Sequence, residues 1–109
     1  MIRIAYMCDR TFDILIDETP KYDVPYFYVV DRGNGSSCCI QVNGPAYLET
    51  PKRFLTADQK RCLMVALRRN RQKDIKYNNW QYMCDLMIEN GYKYVNETTK
   101  RSIPYYTNL

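Results

Sequence analysis

The apolar residues of this chain change their period partway along, and that change restricts the fold more than any other feature. In the first part they alternate. Ile2, Ile4, Tyr6 and Cys8 share one face of an extended segment, and Phe12, Ile14 and Ile16 share one face of the next, with Asp13 and Asp17 opposite. Period two marks a strand buried on one side. Past Pro51 the period becomes helical: Cys62, Leu63, Ala66 and Leu67 recur on one face, with Met64 and Val65 widening it. Strands first and helices afterwards predict an α+β fold. The expected form is a small antiparallel sheet of about four strands in two hairpins, with two helices packed on one face.

Local signals place the elements. Asp9 and Arg10 separate the first two strands. The aromatic run Tyr26–Val30 follows Pro25, a Gly-Asn-Gly turn comes at residues 33–35, and Cys38–Val42 returns as its partner. Thr56 followed by Gln59 forms a capping box for a helix within Leu55–Asn70, and Asp58 in its first turn and Arg68 and Arg69 in its last suit the helix dipole. A second helix starts near Asn78 or Asn79 and carries the stripe Trp80, Met83, Cys84, Met87 and Ile88. Gly91 can end it in a left-handed conformation. Tyr92, Tyr94 and Val95 read as one more short strand. Residues 1–95 are then a single domain, and 96–109 a tail that is either loose or docked through Ile103, Pro104, Tyr105 and Tyr106.

A chain of 109 residues can bury roughly 65% of its unfolded surface, so it needs no metal or disulfide to fold. No N-terminal apolar segment reads as a signal peptide, and no run approaches the roughly 18 apolar residues of a membrane span. The expectation is a cytoplasmic protein with no membrane contact. Five cysteines, at positions 8, 38, 39, 62 and 84, fit that compartment: the count is odd, and adjacent Cys38 and Cys39 point to opposite faces of a strand.

Histidine is absent. That removes serine and cysteine triads built on imidazole, imidazole acid–base chemistry and most catalytic zinc sites. What remains is carboxylate or cysteine chemistry. Asp9, Asp13, Asp17 and Glu18 cluster in sequence, and a metal-dependent carboxylate nuclease could draw on Asp13 and Asp17. No strand, however, ends in the spaced acid and Glu-x-Lys pattern that such an enzyme uses. No catalytic residue, metal ligand or cofactor is therefore assigned.

Two binding surfaces remain. The first is the strand bearing Tyr26, Tyr28 and Val30, taken with an exposed sheet edge, where an unpaired strand recruits a partner protein or a second copy of the chain. The alternative is nucleic-acid contact through Arg68, Arg69, Arg71, Lys73 and Lys76, with Tyr77 beside them. Arginine forks suit phosphate and an aromatic can stack on a base. Helix C-termini also attract Arg and Lys for dipole reasons alone. The net charge of +4 tolerates an acidic partner without demanding one.

The stretches Val24-Pro25-Tyr26-Phe27-Tyr28-Val29 and Arg71-Gln72-Lys73-Asp74-Ile75, the latter leading to Asn79-Trp80, carry a resemblance. Over roughly residues 10–90 the chain resembles a set of small bacterial domains of unknown function, often encoded near toxin–antitoxin genes. Members have a strand reading Pro-Pro-His-Phe-His-Val, then a leucine-rich helix, a charged connector and a helix opening on tryptophan. The resemblance implies the scaffold and a toxin–antitoxin-like binding role. Tyr26 and Tyr28 stand where those domains have histidine, so no metal or acid–base role of the histidines carries over.

Overall fold

The computed structural model describes residues 1–44, 47–51, 53–71 and 74–107, with the backbone alone for 74 and 75. The chain forms β1 (Ile2–Met7), β2 (Phe12–Ile16), β3 (Tyr26–Asp31), β4 (Ser37–Asn43), β5 (Tyr47–Glu49), α1 (Ala57–Arg68), β6 (Asn70–Arg71), β7 (Asp74–Asn78), α2 (Asn79–Glu89), α3 (Glu97–Arg101) and β8 (Tyr105–Tyr106). The fold is α+β, and the first four strands fall where the alternation, the aromatic run and the glycine turn put them. The sheet is larger than expected, with six strands in the order β1-β2-β3-β4-β5-β8. It is also mixed, because β8 runs parallel to β5. Strands of three and two residues are too short to show a period, which is why β5 and β8 escape a reading by pattern.

Two further departures lie in the second half of the chain. Residues 92–95 form no strand; Tyr94 has φ 68, in the left-handed region that a strand does not use. Between α1 and α2, where the sequence pattern assigns no element, β6 pairs antiparallel with β7.

The capping box of α1 closes in both directions, with Gln59 N donating to Thr56 Oγ1 (3.1 Å) and Thr56 N to Gln59 Oε1 (3.0 Å). A second box, of Asn78 and Gln81, starts α2. The helix ends as its glycine predicts: Gly91 has φ 82 and Tyr92 N reaches back to Met87 O at 3.0 Å. The core joins Ile14, Ile16, Phe27, Val29, Ile40 and Leu48 of the sheet to Leu63, Leu67, Trp80, Met83 and Met87 of the helices. The buried Trp80 Nε1 donates to Thr99 O (3.0 Å), tying α3 to α2. The apolar stripes are narrower than the sequence implies. Val65 is 58% exposed, Ile88 is exposed as well and Cys62 is half-buried.

The first strand departs from simple alternation. Its register with β2 shifts between Arg3 and Ala5, a β-bulge at Ile4. Beyond the bulge Met7, opposite Phe12, takes the buried side, and Tyr6, opposite Asp13, takes the outer side. Tyr6 is thus not on the core face with Ile4.

Candidate functional site

The aromatic strand β3 is flanked by β2 on one side and β4 on the other, so it has no free edge. Tyr26 is fully enclosed rather than exposed. Its hydroxyl donates to Asp17 Oδ2 (2.9 Å) and accepts from Lys21 N (2.8 Å). The Tyr92 hydroxyl donates to Asp17 O (2.9 Å), and the rings of Tyr22, Tyr28 and Tyr92 lie 4.8, 5.7 and 5.4 Å from the Tyr26 ring. The chain after β2 and the residue after α2 fold over this end of β3, which no periodicity foretells. Tyr26 therefore holds the fold together, while Tyr28 and Val30 stay half-buried. Burial raises the Tyr26 and Tyr92 phenols above the ordinary range and Tyr28 to about 12, so all three are neutral at physiological pH.

The acidic residues do not converge. Asp17 is buried under Tyr26, and Asp13 lies beside Arg32 (Nε to Oδ1, 3.8 Å). Among the described residues no three carboxylates or thiols group as metal ligands. Among the same residues no helix is long and apolar enough to cross a membrane.

The basic residues singled out in the sequence divide. Arg68 is exposed in the last turn of α1 and Lys76 is exposed on β7. Lys73 lies outside the described residues. Arg69, the C-cap of α1, and Arg71 of β6 come together on a groove of about 840 Å³ between β1 and α1. One wall is the edge of β1 from Ile4 to Met7 with the turn that follows it; the other is α1, through Arg61, Cys62, Val65 and Ala66. Among the described residues β1 is the outermost strand of the sheet, and no strand pairs with its far edge, which lines the groove. Among the described residues one hydrogen bond reaches that edge, from Arg71 Nη1 to Ile4 O (3.4 Å). Arg71 is held in place by stacking on the Tyr82 ring at 3.7 Å.

The turn closing this end of the groove is unusual. Cys8, Asp9 and Arg10 all have positive φ (52, 51 and 68), and none is glycine. Each costs on the order of 1–2 kcal/mol in that region. Thr11 N to Cys8 O (3.0 Å) and Arg32 N to Thr11 O (2.9 Å) hold the turn. Arg10 stands where the groove meets the outer face of the sheet. There the guanidiniums of Arg3, Arg32 and Arg10 lie 4.3, 5.1 and 5.4 Å from the centre of the Tyr6 ring. Three like charges share one ring, with Asp13 the nearby carboxylate in an ion pair. The sequence offers no signal for this cluster. Its members are scattered from position 3 to position 32 and meet only through strand register and the bulge that turns Tyr6 outward.

Cys8 and Cys62 both line the groove. Burial, reinforced by Cys62, pushes the Cys8 thiol up to about 12. At neutral pH it is protonated and a poor nucleophile. Comparison of the chain with protein-family models, with curated proteins and with solved structures finds no match.

Proposed function

We propose that this chain is a non-enzymatic binding module that engages another protein, with the groove between β1 and α1 as its contact surface. One observation carries the reading: an unpaired strand edge and an exposed apolar residue, Val65, line a single groove together with the guanidiniums of Arg10, Arg61, Arg69 and Arg71. Backbone groups on a free edge recruit backbone, and an exposed valine among arginines offers the apolar centre and polar rim of a protein contact. A toxin–antitoxin-like pairing is the kind of partnership that the resemblance to small bacterial domains implies.

The test is selection of a random peptide-display library on the whole protein, repeated on Val65→Glu. The substituted side chain is exposed, so the variant should keep the wild-type circular dichroism spectrum. Peptides that bind wild type and are lost on Val65→Glu are the expected result. Recovery of no such peptides would remove the reading.

A second reading, nucleic-acid binding, draws on the three guanidiniums around Tyr6, which could hold phosphate while the ring meets a base. It requires affinity for an oligonucleotide that falls steeply with salt. The apolar stretch of the α1 wall, Cys62, Val65 and Ala66, favours the protein partner.

A further inference from the structure

We infer that the groove takes an extended, acidic segment of a partner protein, added as a strand to the outer edge of β1. The inference rests on the protein-binding reading above and names the occupant.

The edge defines the shape of the occupant. Its open part runs from Ala5 to Met7. At one end the bulge at Ile4 interrupts the pleat, and Arg71 already occupies the Ile4 carbonyl. At the other end the left-handed turn of Cys8, Asp9 and Arg10 leads the chain away. The space between accepts about three or four residues of extended chain, some 10–13 Å at ~3.3 Å per residue. A chain paired there satisfies the free backbone groups of β1, and alternate side chains face the α1 wall at Cys62 and Val65.

Charge defines the chemistry of the occupant. Neither Arg10 nor Arg69 takes part in an ion pair among the described residues, and both line the groove. Arg61 pairs with Asp58, whose side chain is 91% exposed and so gives a screened interaction of little strength. Carboxylates on the added strand would complete these guanidiniums with charge-assisted hydrogen bonds. A second copy of the chain fits poorly, because pairing β1 with β1 would set two arginine-lined grooves against each other. A nucleic acid has no amide ladder to match the edge.

The experiment uses the whole protein and a fluorescein-labelled, capped heptapeptide of sequence Glu-Val-Val-Glu-Glu-Val-Val, which puts glutamate and valine on both faces of an added strand, followed by fluorescence anisotropy. Three comparison probes are the lysine–valine heptapeptide, the glutamate–valine heptapeptide methylated on alternate amide nitrogens along its pairing edge, and an oligo-dT strand. The glutamate–valine peptide should saturate. Amide methylation should weaken it by about tenfold or more, because the backbone bonds are lost. Arg69→Glu and, independently, Arg61→Glu should weaken it similarly, each variant first shown to be folded by circular dichroism. The lysine peptide should not bind.

Equal binding of the methylated and unmethylated peptides would overturn strand addition. Indifference to both charge reversals would overturn the acidic chemistry. Tighter binding of oligo-dT, or a dimer that the peptide dissociates, would assign the groove to a nucleic acid or to a second copy. A library that yields Val65-dependent peptides of other composition would overturn this inference alone. A library that yields none would overturn it together with the protein-binding reading.

Discussion

Replacing Tyr26 by phenylalanine tests whether this residue belongs to the fold or to a binding surface. The substitution keeps the ring, and with it the contacts to Tyr22, Tyr28 and Tyr92. It removes one oxygen that donates to Asp17 Oδ2 at 2.9 Å and accepts from Lys21 N at 2.8 Å. Lys21 is exposed, so its amide can turn to water. Asp17 is buried and cannot, which makes the bond to its carboxyl group the larger loss. A hydrogen bond to a charged group contributes about 1.5–3 kcal/mol, so the expected destabilisation is about 2 kcal/mol. For a domain of this size that lowers the melting temperature by about 10 °C.

Tyr28→Phe is the matched control: same strand, same ring, half-buried, and with no hydroxyl hydrogen bond among the described residues. Its cost should stay within about 0.5 kcal/mol, as for a substitution away from buried partners. Urea and thermal unfolding followed by circular dichroism and Trp80 fluorescence measure both. Equal stabilities for the two variants would refute the argument, since they differ in little but the buried hydroxyl. The same geometry warns against using Tyr26→Ala as a binding test, because lost binding would report lost structure.

Stability should fall at alkaline pH. Cys84 is fully buried and its thiol is raised to about 12 by that burial. The native state therefore keeps its proton when the unfolded chain, with ordinary thiols near 8.5, gives it up. The contribution is whole below about pH 8.5 and shrinks by roughly 1.4 kcal/mol per pH unit toward 12. The raised phenols of Tyr26, Tyr92 and Tyr106 add to the fall above about pH 10. A urea midpoint unchanged from pH 8 to pH 11 would contradict this. Trp80→Phe leaves Thr99 O without its buried donor and should cost about 1–3 kcal/mol; amide exchange in α3 should quicken most, and uniform quickening would show that the bond does not anchor α3 in particular. Ending the chain at Ile103 removes β8 and the buried Tyr106 ring, a loss of about 3 kcal/mol by apolar burial alone, and unchanged urea stability would show that β8 does not hold the sheet.

What this sequence determined by itself was local. Thr56 with Gln59, an asparagine at 78 or 79 and the glycine at 91 each act over a few residues, and α1 and α2 begin, and α2 ends, where those signals place them; the structure selects Asn78, boxed with Gln81. Alternation located β2, the aromatic run after Pro25 and the glycine turn located β3 and β4, and the adjacent Cys38 and Cys39 divide between a buried and a half-buried side as strand geometry demands. The tertiary structure decided what depends on several segments at once. One added residue at Ile4 moved Tyr6 from the expected core face to the outer one, because a strand of period two reverses its faces with every slip. Tyr26 sits on an alternating strand yet is fully buried, because Asp17, Tyr22 and Tyr92 close over it. The groove arises where the edge of β1 meets α1, and its arginines come from positions 10, 61, 69 and 71. Capping and period are properties of neighbours along the chain, whereas enclosure and convergent charge belong to segments that become neighbours only on folding.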